Sequence, residues 1–426
     1  MLKEITIENF CSFNEKQVFT MEALPPKSIK EHQEHLIQGD GCAYLRLASI
    51  YGPNGSGKSN LIKALSFLRS LLLSGVIDRR DPICKPFLGS DNKIVSLSYA
   101  FEDDNFETRL SFSFSLGKAK DESNLDVYPF MDIPAIADSP YRIEYEKFEY
   151  RKTGDDVYVT AYERSGQKIL ADALKKELGL TRNFAVPRGA LLVFFVAREY
   201  ADKGAISRAI SSFVRQVFNL LPLDRSAVGS DLVTFIKDEA NAKYLAAKLN
   251  EILGCNIKGF YFDEPKKKNI FAFRALDRNI RVIHKTGEKE YVLALTDESE
   301  GSRKLMSFIA RIKKSHDNSI FYADDFDSHL HPALIRALLL YFGSEDSGKR
   351  QFIFNSHDIL NMNSDLFRRD EIWFTVLDDK NATKIYSLSD LRGPDGRVIR
   401  NDQVYSKKYL EGKYGADPFI ARGLKL

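Results

Sequence analysis

The 426 residues carry 62 basic and 59 acidic side chains for a net charge of +3, with 44% hydrophobic and 28% charged residues. That composition fits one large domain or two to three smaller ones, and so even a charge balance gives no bulk signal for nucleic acid, leaving only a local patch open. Four widely spaced cysteines without a C-x-x-C pair suggest neither a zinc site nor a disulfide framework but reduced thiols in a cytoplasmic protein, and no apolar run approaches the roughly 18 residues of a membrane span.

Residues 2–20 alternate apolar and polar, with Leu2, Ile5, Ile7, Phe10 and Phe13 marking half-buried strands. Residues 25–41 are polar, include Pro25 and Pro26, and read as a loop. A short apolar strand (Leu47, Ala48, Ile50) then runs into Gly52, Pro53, Asn54, Gly55, Ser56, Gly57, Lys58, Ser59 and Asn60, which hold a complete G-x-x-x-x-G-K-S pattern. An amphipathic helix leads out, with Leu61, Ile62, Leu65, Leu68, Leu71 and Leu72 at spacings of three and four. Gly52, Gly55 and Gly57 let the backbone turn tightly enough to aim successive N–H groups at phosphate oxygens, and the helix N-terminus adds its dipole. Lys58 can reach β- and γ-phosphates, and the Ser59 hydroxyl can complete the shell of Mg²⁺. Nucleotide binding, as ATP with Mg²⁺, is therefore expected.

Residues 94–101 and 106–116 alternate around Asp103, Asp104 and Asn105, a hairpin, and strands follow at 141–150 and 157–162, their aromatic residues suited to a sheet core. From 167 to about 253 the period is helical, without a sustained heptad repeat. Strands return at 257–262, 271–273 and 280–284, with a lysine turn at 266–268 before the second.

The second half of the chemistry lies between 295 and 357. An apolar strand at 320–323 ends in Asp324 and Asp325. A carboxylate at such a strand end holds nucleotide-bound Mg²⁺, which assigns Asp324 to the metal and places Asp325 where it polarises the attacking water. Another apolar strand, 351–354, ends before His357, which could contact the γ-phosphate. Upstream, Ser299, Glu300, Gly301, Ser302 and Arg303 open a helix whose N-terminus suits an anion. Each feature has a plainer reading as a helix cap or a solvated loop histidine. Their order along the chain is the stronger fact, since it is the order of an ABC-type ATPase head.

The opening Leu2-Lys3-Glu4-Ile5-Thr6-Ile7-Glu8-Asn9-Phe10 followed by Ser12-Phe13 resembles the first strand of SMC/RecF-type ATPases. The chain as a whole resembles the RloA/AbiL-like ATPases of abortive-infection and phage-defence loci, relatives of the OLD-family ATPases, on residues 50–60, 298–305, 324–332, 351–358, 367–374, 385–390 and 408–416. The resemblance implies an α/β fold, a P-loop NTPase of the ABC-ATPase head type, with a mixed sheet core, an antiparallel β lobe and an inserted helical region. Its parts would be 1–165 with the phosphate loop, 166–254 as the insertion, and 255–426 with signature, acidic strand end and switch histidine. By the same resemblance, Ser299, Gly301 and Arg303 belong to the signature that closes over the γ-phosphate held by a partner's Lys58, so a homodimer or higher homo-oligomer is implied. Residues 328–330 stand for the loop that communicates across the dimer, and His357 for the switch histidine.

The sequence departs from that pattern at three places. Asp325 stands where the family has glutamate, which withdraws the carboxylate by one methylene and implies slow hydrolysis. Glu300 replaces a glycine of the signature, and Cys11 replaces a basic residue of RecF-like openings. No glutamine loop can be assigned, since Gln167 and Gln216 both lie in the helical region. Too little chain follows His357 for the TOPRIM-type nuclease of OLD proteins, so a separate, nuclease-like effector protein is expected, regulated by the ATPase in anti-phage defence. The alternative readings are a RecF/SMC-like repair ATPase that binds DNA itself, and a scaffold that binds ATP only to dimerise.

Overall fold

Apolar and polar alternation builds β1 (Leu2–Glu8), which in the computed structural model pairs antiparallel with β2 (Gln17–Thr20) and turns Leu2, Ile5 and Ile7 inward. The structure describes residues 1–75, 77, 85–116, 141–223, 228–263, 279–393, 399 and 404–416. The loop expected at 25–41 is partly ordered as strand: β3 (Leu36–Gln38) pairs with β4 (Ala43–Leu45), and Ile29, His35 and Ile37 are buried. Buried side chains without a period leave no trace in a hydropathy pattern, which is why the strand escapes it.

All five residues of β5 (Leu47–Tyr51) are buried, and it feeds α1 (Lys58–Ser74) through the glycine-rich loop. The expected hairpin forms as β6 (Val95–Glu102) and β7 (Phe106–Leu116), its turn held by the Asp103 carboxylate, which accepts the N–H groups of Asn105 and Phe106 at 2.9 Å each. Next come β8 (Tyr141–Lys152), β9 (Val159–Ser165) and β10 (Lys168–Leu170), completing a seven-stranded antiparallel sheet in the order β10-β9-β8-β7-β6-β1-β2. Ile169 thus extends a hairpin instead of opening the helical region, a correction with a simple cause: a two-residue turn lets the short strand pair back on β9 before any helix can start.

The helices α2 (Asp172–Leu178), α3 (Leu192–Glu199) and α4 (Ala205–Phe218) follow, then β11 (Leu220–Pro222), α5 (Val228–Ile236) and α6 (Glu239–Leu253). Strands β12 (Ile257–Phe262), β13 (Ile280–Thr286) and β14 (Lys289–Ala294) form a separate antiparallel sheet. The strand expected at 271–273 and the lysine turn at 266–268 lie outside the described residues. The chain continues as α7 (Glu300–Lys314), β15 (Ile320–Ala323), α8 (Pro332–Gly343), β16 (Gln351–Asn355), β17 (Ile372–Leu377), β18 (Thr383–Ser387) and α9 (Tyr405–Leu410). A second, mixed sheet runs β11-β15-β16-β5-β17-β18, with β5 parallel to both β16 and β17 and β18 antiparallel to β17. A strand flanked by parallel neighbours is covered on both faces, which accounts for the unbroken burial of β5.

The chain divides into two compact units. The first comprises Met1–Leu221, Asp317–Tyr322 and Leu339–Leu426. Its core joins α1, through Leu61, Leu65 and Leu68, to aromatics of the large sheet and to Phe213 of α4; Phe67 lies 5.6 Å from Phe114, and Phe101 meets Phe213 edge-on at 5.4 Å. The second comprises Pro222–His316 and Ala323–Leu338, its core drawn from α5 to α7 and the three-stranded sheet, including Leu245, Leu249, Ile280, Val282, Leu305 and Met306. Helices of the expected 166–254 insertion fall in both units: α2 to α4 in the first, α5 and α6 in the second.

Candidate functional site

In the first unit, β5 delivers the chain to Gly52 and α1 begins at Lys58. Helix α1 starts without a side-chain cap and with no acidic residue in its first turn. The positive end of the helix is therefore offered to an anion. Gly57, at φ 102, is the N-cap, and a β-carbon there would overlap the Thr383 side chain. Glycine alone takes that backbone angle freely and admits the close approach. Lys58 is buried, and its Nζ donates to the carbonyl oxygens of Gly52 at 2.8 Å and Pro53 at 3.1 Å, which holds a positive charge inside the curve of the loop. Asn54 and Gly55 form the exposed tip, while Ser59 and Asn60 are half-buried in the first turn of α1.

The loop rests on hydroxyls from distant parts of the sequence. Ser56 Oγ and Thr375 Oγ1 of β17 share a hydrogen bond at 2.6 Å. Thr383 Oγ1 of β18 lies 2.9 Å from the Ser56 carbonyl oxygen and 2.7 Å from Ser12 Oγ, and Asn60 Nδ2 donates to Ser12 Oγ at 2.7 Å. The Thr383 hydroxyl is the donor toward both acceptors, sharing its one proton between the Ser56 carbonyl and Ser12 Oγ, while Thr383 N donates to the Ser12 carbonyl at 2.8 Å. The Asn60 amide and the Thr383 hydroxyl thus converge on Ser12 Oγ, and Thr383 also reaches the loop backbone at Ser56. Sequence reading missed Thr375 and Thr383; neither carries a local motif.

His357 sits two residues past β16. Because β16 runs parallel to β5, with Asn355 opposite Ile50 and Ser356 N donating to Ile50 O at 3.2 Å, the histidine emerges at the strand edge from which Gly52 departs. It is exposed on a turn shaped by its neighbours: Asp358 N donates to Ser356 Oγ at 3.0 Å, and the Asp358 carboxylate accepts from Leu360 N at 2.8 Å and Asn361 Nδ2 at 2.7 Å.

The remaining expected residues lie in the second unit. Asp324, half-buried, and Asp325, exposed, directly follow β15. Ser299 is the N-cap of α7, its Oγ accepting from Ser302 N at 3.1 Å. Gly301 lies in the first turn, where a β-carbon would stand 2.5 Å from the His329 carbonyl oxygen, and Glu300 pairs with His329 Nδ1 at 3.1 Å. The glutamate that departs from the signature pattern thus has a partner in the loop after Asp325. Arg303 Nε is buried without a hydrogen-bond partner among the described residues. Phosphate loop and His357 are therefore brought together in one unit, and signature and carboxylates in the other.

Among the described residues, the one group of histidine and acidic side chains spaced for a metal is His32, Glu34 and His35. His35 is committed on both sides: Nδ1 faces the two Glu371 oxygens at 2.9 and 3.0 Å, and the Nε2 edge lies against Gly343, where a β-carbon would come within 2.5 Å. Gln167 is at the β9–β10 turn and Gln216 is buried in α4. No helix among the described residues is long and apolar enough to cross a membrane.

A profile of the family described as "AAA domain, putative AbiEii toxin, Type IV TA system" matches residues 47–363. The chain belongs to this family. Its fold is that of an AAA-domain P-loop ATPase, with a mixed sheet, an antiparallel sheet and helices, and such an ATPase uses nucleotide with Mg²⁺. Among solved structures, the chain is similar to an SMC head bound to the C-terminal winged-helix domain of ScpA (15% identity, TM-score 0.38, 91% of this chain and 97% of that one). It is similar also to the SMC head domain from Thermotoga maritima (14%, 0.36, 91% and 98%). A third is the Smc head with an extended coiled coil bound to the C-terminal domain of ScpA, derived from Pyrococcus furiosus (13%, 0.39, 91% and 96%). No curated protein matches the sequence.

Proposed function

We propose that this AAA-family chain is a slow ATPase of the RloA/AbiL-like kind, which binds ATP between two copies of itself and regulates a separate, nuclease-like effector in anti-phage defence. The observation that carries the reading is the phosphate loop: an uncapped helix start, glycine turns and a buried lysine folded inside the curve, all held from below by hydroxyls. The words "putative AbiEii toxin, Type IV TA system" in the family description support the defence context.

In this mechanism the N–H groups of residues 55–59 and the Lys58 ammonium bind the β- and γ-phosphates. Ser59 and Asp324 would hold Mg²⁺, which would supply charge neutralisation on the γ-phosphate. Asp325 orients the attacking water, His357 donates to a γ-phosphate oxygen, and Ser299, Gly301 and Arg303 of a second copy close the site. Residues 1–165 and 255–426 form the head, and 166–254 receive the trigger.

The test is purification of the full chain with the product of the adjacent gene, with and without Lys58→Ala. Retention of a nuclease-like partner that is lost with the variant, together with slow phosphate release by the native chain, supports the proposal. Salt-sensitive binding of the isolated chain to duplex DNA would favour a repair ATPase instead.

A further inference from the structure

Lys304 lies on α7, five residues beyond Ser299, and is buried. Its ammonium reaches the loop that follows Asp324: Nζ lies 3.2 Å from the Asp325 carbonyl oxygen, 2.8 Å from that of Phe326, 3.0 Å from that of Ser328 and 3.1 Å from Ser328 Oγ. The ammonium also lies 5.7 Å from the centre of the Phe308 ring, which stacks on Phe326 at 5.8 Å. A buried cation is costly unless its protons are met with good geometry, and here backbone carbonyls of one short loop meet them.

The loop is also strained. Asp325 has φ 48 and His329 φ 61, both in the left-handed region that L residues avoid. Such angles persist where the surroundings over-determine them, and they gather at functional sites. Two further ties run from the same helix turn, the Glu300–His329 pair and the close approach of Gly301 to the His329 carbonyl. Residues 300, 301 and 304 of α7 thus grip residues 325–329 as one body.

We propose that Lys304 is a positioning residue for hydrolysis: it fixes the backbone that carries Asp325 and makes that carboxylate move with the 299–303 segment. The inference rests on the role proposed for Asp325 above. It adds that closure of one nucleotide site over its signature sets the carboxylate on the same helix-and-loop body. A side chain that acts through a backbone bond changes the rate of the chemical step and leaves ground-state nucleotide binding, which belongs to the Lys58 loop, in place.

The experiment measures single-turnover phosphate release and the Kd of a fluorescent ATP analogue for the full chain, Lys304→Met, Asp325→Asn and the double variant. The expected result is a rate about 10- to 100-fold lower for Lys304→Met, as for displacement of a catalytic group by about 1 Å, with Kd within about twofold. The double variant is expected to be no slower than Asp325→Asn, because residues acting as a unit are non-additive. Asp325→Asn slow with Lys304→Met at the native rate overturns this inference alone, whereas Asp325→Asn at the native rate overturns the proposed role of Asp325 and the inference with it. If Lys304→Met does not fold, Lys304→Arg decides: a planar guanidinium keeps the charge but cannot converge on the same carbonyls, so the rate falls at least about threefold with Kd preserved. A native rate for that folded variant overturns the inference.

Discussion

Replacing Thr383 with valine tests whether the far strand holds the phosphate loop. Valine keeps the β-branched shape and strand propensity of threonine and removes only the hydroxyl. Thr383 and Ser56 are each 1% exposed, so the Ser56 carbonyl loses a buried donor that water does not readily replace. A lost hydrogen bond of this kind costs about 1 kcal/mol, and about 2 kcal/mol when the remaining acceptor stays unmet. The same change removes one of the two donors that meet on Ser12 Oγ, the other being Asn60 in the first turn of α1. If that cost falls on the loop geometry that receives phosphate, ATP affinity weakens by about 5- to 30-fold, since 1.4 kcal/mol is a factor of ten. Isothermal titration with a slowly hydrolysed ATP analogue reads it directly, with Thr383→Ser as the control that restores the hydroxyl and stays within about twofold of native. A folded Thr383→Val protein with native affinity would refute the reasoning.

The shorter carboxylate at Asp325 predicts that Asp325→Glu raises the steady-state turnover number about tenfold by returning the reach of one methylene; an unchanged or lower number shows that reach is not what limits the rate. Glu107 supplies a pH dependence. Burial works against its ionisation, but hydrogen bonds from Lys3 (2.8 Å), Tyr158 and Arg151 (2.6 Å) and the charge of Lys3 outweigh it and hold the carboxyl below its ordinary range. A depressed carboxyl contributes stability that is full above the unfolded value of about 4.3 and is lost as pH falls through the folded value. Thermal melts between about pH 5 and pH 3 should therefore lose midpoint faster for the native chain than for Glu107→Gln, and parallel curves would contradict this.

What the sequence makes legible is what is local. Every part of the phosphate loop lies within nine consecutive residues, and strand, turn and helix follow from periods of two and 3.6 on either side. Asp324 and His357 are readable for a related reason: each follows a short, unbroken apolar strand, and a polar residue just past such a strand stands at a sheet edge. Contacts that close through space are not readable. Ser12 and Thr383 are 371 positions apart, and no pattern in either neighbourhood announces the other. Lys304 is hidden differently, since a lysine on an amphipathic helix ordinarily snorkels to water, and only the path of residues 325–328 turns it into a buried hub. Ile169 and residues 36–38 were misleading because three-residue strands are too short to show a period.

The late stretches 367–374, 385–390 and 408–416 carry no phosphate-binding motif, and the fold gives them a mechanical role. Phe374 of β17 stands opposite Tyr51, the last residue before Gly52, and is covered by Tyr409 at 5.7 Å and Tyr414 at 5.5 Å, while Tyr409 also lies 6.5 Å from Tyr51 itself. Tyr405, Tyr409 and Tyr414 are all buried, so α9 and the turn after it are a packed seat on the end of β5, with their lysines turned outward and Lys408 and Lys413 sharing Glu411 at 3.3 and 2.9 Å. β17 and β18 hold the loop through Thr375 and Thr383, and α9 holds the strand that launches it. The glycine loop comes early in this unit and the residues of β17, β18 and α9 that hold it come late, and a loop of glycines, which by itself has the most conformational freedom to lose, needs them.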